Sequence, residues 1–324
     1  MRGQSVNIEE IKCIFPVRER DFLIQALEKT KDIQEIRIRT GKPVLIKTIK
    51  GLFYINKSGE LTNNIELASL CSEKKIDEIL RHVCMDSVYA YQDEIKKGFL
   101  TVKGGHRIGI TGQVVLDDIH SVGAIKNISC LNIRISHEIK GIGECVLPYI
   151  YQNGKLQNTL IISSPGCGKT TLLRDLIRFI SNGNSYGEPL QVGVVDERSE
   201  IGGCYRGVPQ NDLGNHTDIM DACPKSVGML MLLRSMAPQV IALDELGGKE
   251  DCEALWQVLH CGCRIIATIH GESIEEMKQK KHFKIFLEDK IFERYIILDK
   301  KNNKPIIKEI LNEDLTICSK GWEP

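Results

Sequence analysis

The chain has 324 residues, with Lys plus Arg and Asp plus Glu both at 43 and hydrophobic residues at 42%, a length that allows two domains, each burying its own core. The zero formal net charge lacks the positive field that accompanies non-specific nucleic-acid binding, so no nucleic-acid partner is expected. Apolar stretches such as residues 229–233 fall far short of the roughly 18 residues of a spanning helix, and no signal peptide is expected at the N-terminus; the 12 cysteines include no CxxC pair or zinc spacing and read as reduced, packed thiols.

In chain order, the first half mixes helices with short alternating strands. Residues 34–39 (QEIRIR) set Ile36 and Ile38 on one face and Arg37 and Arg39 on the other, then turn at Gly41 to Pro43 into residues 44–46, which reads as a hairpin. The apolar spacing Ile76, Ile79, Leu80, Val83 predicts a helix, and a turn at Gly104 and Gly105 leads into a strand over residues 107–115. Residues 149–158, with Asn153 and Gly154, read as a linker between an N-terminal α+β domain (1–150) and a second domain (151–324). Beyond it, apolar runs at 159–162, 191–195, 240–243, 264–268 and 294–298 alternate with helical stretches, the texture of an α/β fold with a buried parallel sheet. The stretch 200–216 is polar, Gly-rich and without periodicity, and structureless loops of that length are usually functional.

The chemistry concentrates at strand ends. Residues 163–171 (SSPGCGKTT) follow an apolar strand and precede a helix over residues 172–180, the context of a P-loop, or Walker A motif. Small residues let successive backbone N–H groups point at the β- and γ-phosphates of ATP, at the positive end of the next helix. Ser164, Pro165, Gly166, Cys167, Gly168, Lys169, Thr170 and Thr171 are the candidate nucleotide-binding residues, with Lys169 neutralising phosphate charge and the Thr170 hydroxyl ligating Mg²⁺. Ser163 stands where the pattern GxxxxGK[ST] has its first Gly. A Walker B strand, VIALDE, places Asp244 to hold Mg²⁺ and Glu245 to polarise the attacking water. Two further strands run into acidic or basic ends, VVDERSE (Asp196, Glu197, Glu200) and ATIHG (His270). Each alone is an ordinary solvated turn, but ligands of doubly wound sheets gather at strand C-termini, so their joint position is informative.

The order P-loop, acidic box, Asp-Glu strand preceded by RSMAPQ, then TIHG resembles the ATPases of type II and type IV secretion and of pilus motors. Within that superfamily RIRTGKP, GGHRIGITGQVV and TDIMDACPKSVGMLMLLRSMAPQVIALDELGG resemble the stage III sporulation protein AA family over most of the chain. The resemblance implies a RecA-like ATPase core, a smaller N-terminal domain folding over the nucleotide and the neighbouring subunit, and a homo-hexamer. It also implies residence in the mother-cell cytoplasm of an endospore former, docked on membrane proteins of the channel to the forespore and peripheral to the membrane only through them. By matching positions, Glu200 falls at the end of the acidic box, His270 on the His box, and Arg134 on the N-terminal arginine that reaches the phosphates. Asp196 and Glu197 invert the family's Glu-Asp order and Arg198 replaces its Pro, so contact with metal or water in this box falls to Asp196, Glu197 or Glu200. Arg107 is a second arginine candidate, and Arg206 a possible contact to a neighbouring subunit. Two rival readings stay open: a nucleic-acid-dependent RecA-like ATPase, and a nucleotide-gated scaffold without turnover, which the Ser163 departure permits.

Overall fold

A computed structural model describes residues 8–30, 32–118, 121–301 and 304–322. The chain divides into two compact units, one of residues 139–202 and 207–324, the other of residues 2–138 with 203–206.

In the C-terminal unit the apolar runs become strands buried on both faces: Thr159–Ser163, Val192–Asp196 and Val240–Leu243 have every residue buried. Parallel strands covered by helices on both sides require this, because neither face meets water. The alternation of side chains decides which layer each residue serves. Leu160 and Ile162 pack with Met229, Leu232, Leu255 and Val258. Ile161 packs on the other side with Leu172, Leu173, Leu176, Ile177 and Ile180 of the helix Lys169–Asn182. The sheet has eight strands in the order Thr217–Asp221, Val192–Asp196, Val240–Leu243, Arg264–His270, Thr159–Ser163, Arg294–Lys301, Lys304–Asn312, Ile317–Trp322. The first six are parallel and the last two antiparallel. Arg264–His270 is thus inserted between the strand ahead of the P-loop and the strand Val240–Leu243, bringing three strand ends side by side.

Several boundaries differ from the sequence reading, each for a local reason. The helix after the P-loop starts at Lys169 rather than 172, because its first turn, Lys169 to Thr171, is polar and falls outside the apolar spacing. Asn153 and Gly154 form a tight turn, with φ of 51° and 74°, joining the short strands Tyr151–Gln152 and Lys155–Leu156; Asn-Gly is the preferred pair where both turn residues need positive φ. No helix among the described residues is long and apolar enough to cross a membrane.

In the N-terminal unit, strands in the order Leu61–Thr62, Gly51–Ile55, Leu45–Thr48, Ile33–Arg39, Ser121–Arg134, His106–Asp118, Phe99–Val102 form one antiparallel sheet. Ile36, Ile38, Ile46, Ile108, Ile110, Leu131 and Ile133 bury one face with residues of the helices Val17–Glu28 and Glu73–Val83. The latter helix begins at the N-cap Ser72, whose side chain accepts from Lys75 N–H, a polar first turn that the apolar spacing misses. By the period of two, the opposite face carries Glu35, Arg37, Arg39, Arg107, Asn132 and Arg134, with Arg134 opposite both Glu35 and Arg107 in register. The Arg107 guanidinium lies over the Phe99 ring, 3.4 Å from its centroid.

Among the described residues no disulfide forms. Burial pushes the thiols of Cys84, Cys145 and Cys252 up to about 11, so these cysteines stay protonated and pack as small hydrophobes.

Candidate functional site

Ser163 is the last residue of its strand, paired with His270 across the parallel ladder, and it takes no positive φ. The position where the Walker pattern has Gly therefore needs none here. The glycines that the turn requires are Gly166 and Gly168, at φ 72° and 87°, a region that costs an L-residue with a Cβ about 1–2 kcal/mol. Around them Ser164 Oγ donates to Glu272 at 3.4 Å and Cys167 is buried. Among the described residues the backbone N–H groups from Gly166 to Thr171 have no protein acceptor. Such a row of free donors at a helix N-terminus is an anion cradle.

Lys169 is 6% exposed. Its ammonium donates to the Ser163 carbonyl at 3.3 Å and to His270 Nδ1 at 3.0 Å. Burial lowers its pKa, while Asp244 and Glu245 act the other way. An ammonium held in this setting gains by acquiring a close anion. His270 Nε2 lies 2.7 Å from Glu245 Oε1, and the neutral tautomer with its proton on Nε2 satisfies both contacts at once. The second Glu245 oxygen meets Arg198 Nη1 at 2.7 Å. A continuous relay, Lys169, His270, Glu245, Arg198, so crosses the mouth of the site.

Thr170 Oγ1 donates to Asp244 Oδ2 at 2.5 Å. The other Asp244 oxygen accepts from Thr268 Oγ1, and Thr268 Oγ1 in turn accepts the Glu245 N–H at 2.9 Å. Glu245 itself sits at φ 55°, left-handed for a side chain that does not prefer it, and such strain persists where the surroundings over-determine it. Thr268, fully buried on the inserted strand, is the residue that sequence reasoning passed over. Its signal was the ATIHG strand end, but only the strand order reveals that its hydroxyl faces Asp244.

The acidic box divides into separate tasks. Asp196 is buried and accepts three backbone N–H groups, from Glu200 at 2.8 Å, Ile201 at 2.9 Å and Gly202 at 2.8 Å. Burial raises its pKa to about 6, Asp221 adds to the rise, and the N–H bonds oppose it. Glu197 pairs with Lys225. Glu200 lines the same small cleft as Asp196, Glu197, Arg198, Asp244 and Glu245, while its carbonyl and that of Ile201 accept from Arg174 of the P-loop helix at 2.7 and 2.8 Å. In the N-terminal unit Arg134 is exposed on its strand, and Arg206 Nη2 stands 2.8 Å from Met85 Sδ.

Among the described residues, no three His, Cys, Asp or Glu side chains converge as a metal site. The donor set that exists, one Thr hydroxyl and one carboxylate 2.5 Å apart beside free backbone donors, fits Mg²⁺, which keeps waters and takes substrate phosphate oxygens rather than a full protein cage.

The sequence model of the family described as "Sporulation stage III, protein AA" matches residues 6–317. The stage III sporulation protein AA of Bacillus subtilis (strain 168) is 38% identical over 314 residues, which are 97% of this chain and 98% of that protein. Among solved structures, the ATPase DotB of Legionella pneumophila superposes with a TM-score of 0.58 at 15% identity, covering 93% of this chain and 82% of that one. The pilus retraction motor PilT, solved with bound ADP, gives 0.56 at 13% identity, covering 91% and 79%. The fold is accordingly the RecA-like P-loop fold of secretion ATPases.

Proposed function

Because the chain belongs to the stage III sporulation protein AA family, we propose that it is a Mg²⁺-dependent ATPase, a ring-forming motor that energises assembly or transport through the mother cell–forespore channel during endospore formation. The observation that carries this reading is the side-by-side placement of Lys169, Thr170, Asp244, Glu245 and His270 at the ends of three adjacent parallel strands, under a loop of free backbone donors.

In this reading water attacks the γ-phosphorus in line. The new P–O bond forms as the bond to the β,γ-bridging oxygen breaks, and ADP leaves with that electron pair. Lys169 exchanges its contact with His270 for the phosphate chain, which offsets the burial of its charge. Thr170 and Asp244 would hold Mg²⁺, which would supply charge neutralisation to the phosphates. Glu245 orients the water and receives its proton, held in place by His270 and Arg198. Asp196 fixes the backbone of residues 200–202, which places Glu200 on the cleft it shares with Asp244 and Glu245. By the family resemblance, Arg134 is the arginine assigned to charge stabilisation. The family suggests a homo-hexamer in the mother-cell cytoplasm, attached to the membrane through channel proteins.

The test is a Glu245→Gln chain. It binds ATP with an affinity close to that of the unaltered protein and releases phosphate about 10²-fold more slowly or less. Undiminished turnover removes Glu245 from the proposed role.

A further inference from the structure

The strands Val192–Asp196 and Val240–Leu243 run parallel with Val195 opposite Leu243, so the residues that follow each strand leave the sheet side by side. One strand continues into Asp244 and Glu245, the other into the tight turn 197–202. That turn is held twice over. Asp196 accepts the N–H groups of Glu200, Ile201 and Gly202, and Ser199, at φ 53°, donates its hydroxyl to Asp221 Oδ1 at 2.6 Å. A left-handed residue persists where its surroundings over-determine it. Arg198 therefore starts from a fixed point, and its side chain ends on Glu245, with Nη1 2.7 Å from a carboxylate oxygen.

The rest of that guanidinium is uncommitted. Among the described residues Glu245 is the partner of the Arg198 side chain, which is 62% exposed. A guanidinium carries several N–H donors in a planar fork that fits carboxylate and phosphate oxygens alike. The second cation lining the cleft, Lys225, is closed off by Glu197 and is 11% exposed. The remaining lining residues are carboxylates. An outer phosphate entering among them is repelled unless a cation with free donors meets it. Lys169 reaches the same Glu245 through His270, so two cations stand at opposite ends of one relay, with the carboxylate assigned to the attacking water between them.

We propose that Arg198 is a further catalytic residue, acting in the subunit that binds the nucleotide: Nη1 stays on Glu245 while the remaining N–H donors bind the γ-phosphate oxygens. The inference rests on the ATPase reading and extends it to a second cation on the reacting group. As the water oxygen bonds to the γ-phosphorus and the bridging bond breaks, charge is spread over the γ oxygens. A guanidinium tied to Glu245 meets that charge and keeps the base, the water and the phosphoryl group in one frame.

The test uses the full chain and three readouts: steady-state phosphate release, ADP affinity, and capture of ADP with aluminium fluoride, a mimic of the transferring phosphoryl group. Arg198→Ala slows release by about 10²–10³-fold, the cost of removing one such donor. It leaves ADP affinity within about twofold and weakens capture by at least about tenfold, because only the mimic fills the γ position. Arg198→Lys, a point charge without the fork, recovers part of the release. In a Glu245→Gln chain, Arg198→Ala still weakens capture by at least about tenfold, whereas an arginine acting through Glu245 alone adds no further loss there. Mixing the Arg198→Ala chain with the Lys169→Ala chain, which carries an intact Arg198, restores no release. Melting curves check folding, and Arg198→Gln replaces Arg198→Ala if that chain unfolds at the assay temperature. Native release from the Arg198 variant, a capture loss that disappears in the Glu245→Gln chain, or release regained on mixing each overturns the inference. If the unaltered chain releases phosphate, the ATPase reading survives any of these. If it neither releases phosphate nor captures ADP with aluminium fluoride, both fall.

Discussion

Thr268→Val removes one hydroxyl and keeps the shape of the side chain. In the native protein that hydroxyl donates to Asp244 Oδ1 and accepts the Glu245 N–H at 2.9 Å. A hydrogen bond to a charged acceptor contributes about 1.5–3 kcal/mol, and a buried donor left unpaired costs about 1–3 kcal/mol. Here the Glu245 N–H keeps a weaker contact to Asp244 Oδ1 at 3.1 Å, which offsets part of the second cost. The net loss is about 2–3 kcal/mol, or roughly 5–10 °C in Tm for a unit of this size. The functional effect is separable from the thermal one. With Asp244 no longer anchored on both oxygens, its carboxylate rotates and phosphate release falls by about 10–100-fold, the range typical of outer partners of a metal ligand. Thr268→Ser, which keeps the hydroxyl and loses a methyl group worth about 1 kcal/mol, recovers most of the turnover. The assays are a thermal melt and steady-state phosphate release at saturating Mg²⁺ and ATP. A valine variant with native Tm and native turnover refutes the anchoring role.

Two other consequences concern the scaffold. His106 is buried, its Nδ1 accepts the Ser136 N–H at 3.1 Å, and burial, helped by His137, lowers its pKa from 6.5 to about 4. The unfolded chain then binds more protons than the folded one between those values, so stability present above pH 6.5 is lost as pH falls toward 4, by about 3 kcal/mol. His106→Asn, which keeps an acceptor, flattens that dependence in denaturant titrations across the window; an unaltered slope excludes His106 as its source. Gly228 lies on the helix Lys225–Ser235, and a Cβ there would stand 2.6 Å from Val195 Cγ1. Gly228→Ala gains up to about 1 kcal/mol of helix propensity but overpacks a buried contact at about 1–3 kcal/mol, so a lower Tm is expected and a higher one shows that the layer yields.

The candidate site was legible in the sequence wherever the residues that the fold gathers are contiguous. The P-loop and the Asp244-Glu245 pair sit on short runs whose flanking strand and helix are equally local, and the apolar runs announced the central strands. Pairing across the chain was not legible. That Arg264–His270 lies between the P-loop strand and Val240–Leu243 is a fact of topology, and Thr268 acquires its hydrogen bonds only through it. The strand Thr217–Asp221 escaped because it is an edge with little burial, and Lys304–Asn312 because a register shift at Ile310 and Leu311 breaks its alternation. Asp196 shows the converse difficulty: an acidic box reads as a ligand set, whereas a single buried carboxylate accepting three N–H groups depends on how residues 197–202 turn. The Ser163 departure was resolved by conformation, since an extended strand end has no need of glycine.

The central claim is that Lys169 and the free donors of its loop bind a triphosphate for hydrolysis. It is tested most directly by phosphate release from the purified full chain with Mg²⁺ and ATP, at concentrations that allow assembly, beside the Lys169→Ala chain. Saturable release that depends on Mg²⁺ and drops to background in the variant is the predicted result. Equal release from both chains, or none from either across millimolar ATP, contradicts it.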